Sequence, residues 1–524
     1  MMNNSLPFRG LYRSAQLYPD KVAIYDEENE ITWLALHKRV LILQNSLRKL
    51  GVSKESKLAV LSLNSIEYAV IIYASIGLGS ILVPLNTRLS PEELQYQLQD
   101  SESDFILFDS INERKVDRIR NSSNKKLKSI SLSDKSEFAD FSYKDLISTK
   151  SAEVSSTTIN QPILPNDPLA IVYTGGTTGL PKGVLLTHQN MNYNISSLVY
   201  DLNIDVSAIC ALNPPLFHLS GLGPLLAYGM FGATSVLTSQ FDTEKHLKII
   251  SQFQCTQTSL VPTTLTWMLD FPNFEKYDLS SLKSIVYGSA PITAALLERA
   301  LSRFPKLSFT QFYGQTEFSG AISILRNEDH SLDKEKVYRL RSCGKPHFAA
   351  EVRILDEDGK ELERGNIGEI CAQGEGVFSG YLNNKKQTYE SLRNGWLHTG
   401  DAGYMDQDGY IYLADRMKDM IVTGGENVAT SEPENILARH PDISEVAVFG
   451  IPDDEWGEKV HAVIVLKNNR NLDQEQIITY CKKFIAGYKC PKSVNFRKDS
   501  LPLSSVGKVK KDTLRKEYMN GNKK

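Results

Sequence analysis

Short apolar runs spaced by helical patterns constrain this chain more than any other feature. KLAVLSL (57–63), SILVPL (80–85), DFILFD (104–109), LAIVYT (169–174) and SIVYGS (284–289) are each too short for a helix. Their alternation with helical segments predicts α/β architecture with buried sheets. Texture changes further on. Residues 350–415 carry Asp/Gly turns (DEDGKE, MDQDGY) between short strands, which predicts antiparallel hairpins. From DRMKDMIV onward a compact run of strands and helices reaches the end, placing a boundary near Arg416–Asp419. Residues 110–160, rich in Lys, Ser and Asn, read as a surface excursion before the next strand.

Two stretches without Asp, Glu, Lys or Arg invite a membrane reading. Tyr68–Thr87 is long enough to span a bilayer, but Gly77, Gly79 and Pro84 divide it into a helix and a short strand. Val206–Phe241 is broken by Pro214, Pro215, Gly221, Gly223, Pro224, Gly229 and Gly232. Both are expected to be buried core elements. Over 524 residues, Lys plus Arg (59) nearly balances Asp plus Glu (62), which excludes a globally basic nucleic-acid binder. Six cysteines without a CxxC pair argue against a disulfide framework and for a reducing compartment. The N-terminal residues show no apolar core of signal-peptide length and the last four, GNKK, match no peroxisomal or ER-retention address. A cytoplasmic location is therefore expected.

The segment most informative about chemistry is IVYTGGTTGLPKGV (171–184). A strand runs into Gly175, Gly176, Thr177, Thr178 and Gly179, with Lys182 close behind. Glycines let successive N–H groups face one anion, hydroxyls add donors, and the lysine adds a mobile charge. It is not a Walker loop. Counted from Gly176, Pro181 falls where the second glycine belongs and Gly183 where Ser or Thr must hold magnesium. The composition suits a polyphosphate all the same.

YTGGTTGLPKGV resembles the signature of the adenylate-forming superfamily: acyl-CoA synthetases, peptide-synthetase adenylation domains and luciferases. PLFHLSG (215–221), YGSAP (287–291), YGQTE (313–317), WLHTGD (396–401), DRMKDMIVTGGEN (415–427) and GK (507–508) follow in that family's order. Nearly the whole chain takes part. The resemblance implies an acyl-CoA synthetase-like fold. Residues 1–416 would form a large N-terminal domain of several subdomains, with mixed sheets and a β-rich part. Residues 417–524 would form a small, mobile α+β domain. It implies a reaction in two steps, in which a carboxylate attacks the α-phosphate of ATP and a thiol then displaces AMP. ATP, Mg2+ and coenzyme A are the implied cofactor and co-substrates, and a small carboxylic acid the partner. No nucleic acid or transmembrane segment is implied; a homodimer and peripheral membrane contact are left open.

Roles follow position by position from the same resemblance. Thr174–Lys182 would hold the β and γ phosphates. Gly288, Ser289, Ala290 and Pro291 would lie along adenine, with Tyr313 and Gly314 on its other side. Thr316 would contact phosphate and Glu317 would hold the metal. Asp401 would accept hydrogen bonds from the ribose, with Arg416 nearby. Lys508 would bridge the carboxylate and the α-phosphate. His218 lies beside the acyl region, as a gate or as an ordinary core histidine. Lys418 would be the pivot of the mobile domain, Gly424 and Gly425 would line a thiol channel, and Lys489 and Lys492 would meet the CoA phosphates. Four positions depart from the commonest pattern: Gly176, Thr430, Pro433 and Val506. None removes a catalytic residue.

NTRLSPEEL, QFDTEKH and IPDDEWGE resemble fatty-acyl-CoA synthetases more than peptide-synthetase domains, which makes a fatty-acid–CoA ligase the leading reading; SLVPTTLTWML (259–269) is also at home in an aryl or succinylbenzoate-type CoA ligase, the close alternative. An acyl-AMP ligase serving a carrier protein is a third reading. A non-catalytic nucleotide-binding relative is the reading from another class, and retention of Glu317, Asp401, Arg416 and Lys508 argues against it.

Overall fold

The computed structural model describes residues 6–521 except 28, 123–126, 134–135, 149–161, 175–179, 291, 417–419, 424–425, 454–455, 469 and 504–508; at 122, 415, 416, 422, 426, 427 and 521 it describes backbone alone. Among the described residues the strands form four sheets. All five apolar runs become strands. Four of them lie in an eight-stranded sheet ordered Gly380–Tyr381, Lys182–Thr187, Pro168–Thr174, Ile81–Pro84, Lys57–Leu61, Phe105–Phe108, Lys128–Ser131 and Phe141–Ser142. The fifth, Ser284–Gly288, sits inside a nine-stranded sheet between Gln257–Leu260 and Ser308–Gln315. Both sheets have parallel centres with antiparallel strands toward an edge, so both are mixed.

The apolar stretch from Tyr68 divides as expected. Ser65 caps the helix Ile66–Leu78 by accepting from the Tyr68 N–H, and Gly79 ends it at φ 71°. All of this helix except Glu67 is buried. A helix apolar all round needs cover on every side. Here the helices Leu6–Leu17 and Trp33–Lys49 supply part of it, within one core that joins side chains of both large sheets. Among the described residues no helix is long and apolar enough to cross a membrane.

One expectation needs correcting. The polar 110–160 region is only partly an excursion. Lys128–Ser131 pairs with Phe105–Phe108, and Phe141–Ser142 extends the same sheet. Ile130 is fully buried, and the Asp140 carboxylate accepts from the Ser129 N–H and hydroxyl. A serine satisfied by a neighbouring acid lets a polar segment pair as a strand where composition alone reads a loop.

The hairpins expected over 350–415 are present. Ala350–Leu355, Gly368–Gly374, Leu392–Arg393, Trp396–Met405 and Ile411–Arg416 form an antiparallel sheet. From Ile421 the strands belong to a fourth sheet built on the hairpin Ile443–Asp453/Gly457–Leu466, covered by Gln474–Lys482 and Lys511–Gly521. The departure at Pro433 costs little. It falls in the first turn of Ser431–Leu437, where an N–H has no intrahelical partner. Thr430 accepts a hydrogen bond from Lys511, which also pairs with Glu434 at 2.9 Å. All six cysteines are buried and free.

Candidate active site

Three motif segments distant in sequence are brought together by strands of three different sheets. Thr174 ends one strand and Lys182 begins the next, and the antiparallel register sets them opposite each other. Gly175, Gly176, Thr177, Thr178 and Gly179, between them, lie outside the described residues. Glu317 and Thr316 occupy the one-turn helix Thr316–Phe318, directly after Ser308–Gln315. Both are buried, and the Glu317 Oε1 accepts from the Thr174 hydroxyl at 3.5 Å. Loop hairpin and acidic turn, paired from sequence only by resemblance, therefore meet in space.

Tyr313 and Asp401 also meet. The Tyr313 hydroxyl donates to Asp401 Oδ2 at 2.8 Å. Burial, reinforced by the Asp401 charge, pushes that hydroxyl well above its ordinary range, so it stays a donor. A hydrogen bond to a charged acceptor contributes about 1.5–3 kcal/mol. Asp401 is held from behind as well: its N–H donates to the Thr399 hydroxyl, which donates to the Ile370 carbonyl at 2.6 Å. The backbone register places Arg416 directly opposite Asp401.

Just upstream, Glu369, Cys371 and His398 cluster tightly enough to suggest a metal site. The Arg393 guanidinium already occupies it, 2.6 Å from His398 Nδ1 and 3.2 Å from Glu369 Oε2. Glu369 Oε1 accepts from the Gly400 N–H at 2.9 Å. Burial opposes ionisation of Glu369, but His398, the Gly400 N–H and Arg393 outweigh it and hold the carboxyl below its usual range. The cluster is a strut beside the strand Trp396–Met405, which carries Asp401.

Gly288 and Gly314 show why the strip beside Tyr313 needs small residues. A Cβ at Gly288 would lie 2.5 Å from the Phe312 carbonyl oxygen, and one at Gly314 only 1.7 Å from that of Gly320. Ser289 follows in the left-handed region at φ 64°, and Ala290 is half-buried. Gly314→Ala is expected to destabilise the chain by about 3 kcal/mol, since backbone must move to admit the methyl. Denaturant titration checks this; a loss below about 0.5 kcal/mol contradicts it.

His218 has a structural task. It is the N-cap of Leu219–Met230, its Nδ1 accepting from the Ser220 N–H at 3.2 Å, and it sits on a different element from the Glu317 turn. Lys489 donates to both Glu432 oxygens, and Lys492 to the Gly487 carbonyl at 3.2 Å. Pro291, Lys418, Gly424, Gly425 and Lys508 lie outside the described residues, and of Arg416 only the backbone is described.

Two groups of residues were missed from sequence. Tyr381 donates to Glu317 Oε1 at 2.9 Å. The helix His188–Leu202 bolts the Glu317 turn from behind. Asn190 donates to the Glu375 and Val377 carbonyls, Tyr193 to Ala321 and Asn194 to Ser319. Asp201 on the same helix pairs with Arg326 and His347. Positions 190, 193, 194, 197 and 201 recur at helical spacing. A polar stripe on a helix otherwise suited to the core was the available signal.

Known proteins are similar to this chain along most of its length. The description "AMP-binding enzyme" matches residues 11–382, and "AMP-binding enzyme C-terminal domain" matches 432–508. A feruloyl-CoA synthase of Amycolatopsis sp is 33% identical over 510 residues, covering 97% of this chain and 98% of that one. A 2-succinylbenzoate–CoA ligase of Bacillus cereus (strain Q1) is 34% identical over 512 residues, covering 96% and 97%. Among solved structures, the anthranilate CoA ligase AuaEII in complex with anthranoyl-AMP superposes with a TM-score of 0.90 at 27% identity, covering 99% and 98%.

Proposed function

The chain belongs to the AMP-binding enzyme family, and from that premise we propose that it is an ATP-dependent carboxylate–CoA ligase acting on an aromatic acid through an acyl-adenylate. The observation that carries the reading is the convergence of the Thr174–Lys182 hairpin, the Glu317 turn and the Tyr313–Asp401 pair around one edge. The acid class rests on the relatives, whose names are those of aryl-CoA ligases. They favour the aryl reading over the fatty-acid reading that ranked first on sequence.

The division of labour is as follows. Adenine lies between the Tyr313 ring and the 288–291 strip. Asp401 accepts from the ribose hydroxyls. Thr174, the 175–179 loop and Lys182 hold the outer phosphates. The donors near Glu317, a carboxylate with the Thr174 and Thr316 hydroxyls, are hard oxygens that fit Mg2+. When bound, that ion neutralises phosphate charge. Lys508, on the 417–524 domain, reaches the carboxylate and the α-phosphate. A carboxylate oxygen bonds to the α-phosphorus as the bond to the bridging oxygen breaks and pyrophosphate leaves. The 417–524 domain then turns about Lys418, Gly424 and Gly425 admit the thiol, and its sulfur displaces AMP from the carbonyl carbon.

Incubation with ATP, CoA and a panel of acids from acetate through long-chain to cinnamate- and benzoate-type acids tests this. Equimolar AMP and aryl-CoA, with the highest kcat/KM on an aromatic acid, is the expected result. A fatty acid turned over faster than every aromatic acid overturns the acid class, and AMP without thioester overturns the thiol step.

A further inference from the structure

Tyr381 touches both charged groups of the proposed phosphate site, and no motif placed it there. Its hydroxyl donates to Glu317 Oε1 at 2.9 Å. The Lys182 ammonium lies 4.3 Å from the centroid of its ring. Its backbone is stapled to the same two elements. Tyr381 pairs with Val184 and Gly380 with Leu185 beside the loop hairpin. The Leu382 N–H donates to the Gly183 carbonyl at 2.8 Å and the Phe378 N–H to the Glu317 carbonyl at 2.9 Å. The Phe378 ring meets Tyr381 edge-on at 4.9 Å, and the side chain is 7% exposed. Few rotamers are open to it in such packing.

The chemistry of this arrangement is specific. A carboxylate and an ammonium able to approach within about 4 Å of each other form an ion pair. Each would then be spent on the other. The tyrosine stands between them and gives each a weaker partner, a neutral hydroxyl for the acid and a π face for the cation. Both charges remain oriented toward a cation and an anion that arrive together, as magnesium and the outer phosphates of ATP do.

We infer that Tyr381 is a positioning residue that keeps Glu317 and Lys182 apart and pre-oriented for the metal–polyphosphate part of the nucleotide. The inference rests on the functional reading above. The hydroxyl aims Glu317, and the ring holds Lys182 until phosphate replaces it.

Titration calorimetry of the full chain with ATP, in Mg2+ and again in EDTA, separates the two contacts. Tyr381→Phe keeps the ring and removes the hydroxyl. It is expected to weaken ATP binding about ten-fold in Mg2+, the loss of one hydrogen bond to a charged group, and to leave binding in EDTA within about two-fold. Tyr381→Leu removes both contacts and is expected to weaken binding in both conditions. Thermal melts check that each variant folds, and Tyr381→Phe is expected to melt within a few degrees of wild type. Equal losses of Tyr381→Phe with and without Mg2+ mark a merely structural role and overturn the inference, as does wild-type affinity in Mg2+. If the wild-type chain itself fails to bind ATP in Mg2+, the functional reading falls and takes this inference with it.

Discussion

Lys508→Ala is expected to reduce acid-dependent pyrophosphate–ATP exchange by about a thousand-fold, the upper range for deleting one donor to a charged transition state. Thioester formation from supplied aryl-adenylate should stay within a few-fold of wild type. The asymmetry follows from the proposed division of labour. The first step joins two anions, and one ammonium on a tethered arm neutralises the reacting oxygens of both. The second step uses another face of the small domain and has no such need. Residues flanking Lys508 are firmly anchored. Leu503 bridges to Val509, the Lys510 N–H donates to the Pro502 carbonyl at 2.8 Å, and Lys511 is tied to Thr430 and Glu434. None of these contacts uses the Lys508 side chain. Equal loss of both half-reactions contradicts the assignment.

Glu317→Gln should have the second largest effect. Glutamine keeps an oxygen that accepts from Tyr381 and Thr174, so the Thr316–Phe318 turn and its anchors, Asn194 to Ser319 and Tyr193 to Ala321, are undisturbed. What disappears is one negative charge where the metal is proposed to bind. Exchange is expected to fall about a hundred-fold, with a melting temperature near that of wild type. Added Mg2+ should recover part of the loss. Unchanged exchange at every Mg2+ concentration removes Glu317 from the metal site. A collapse in stability instead assigns it a structural role.

Much of this architecture was legible because two periodicities are strong. Apolar runs of four to seven residues between helical patterns found the strands, and Gly79 marked the end of a helix that hydropathy alone would extend. The Lys128–Ser131 strand was hidden because two of its four residues are serines, one of them satisfied by Asp140, and they carry no hydrophobic pattern. In the site, motif order found Thr174, Glu317, Tyr313 and Asp401 without showing that they touch. Tyr381 and the Asn190–Tyr193–Asn194 face escaped because their partners are backbone carbonyls and a carboxylate more than sixty residues away, and local spacing does not register such pairings. His218 caps a helix, a local task that its place in PLFHLSG does not reveal.

The central claim is that one edge of the molecule is a nucleotide pocket built by Tyr313, the 288–291 strip and Asp401. A crystal structure of the chain grown with Mg2+ and a non-hydrolysable ATP analogue tests it most directly. The base should lie between the Tyr313 ring and Gly288–Ala290, with the ribose hydroxyls on the Asp401 carboxylate and the outer phosphates between Thr174 and Lys182. A base bound anywhere else, or a ribose out of reach of Asp401, contradicts the account.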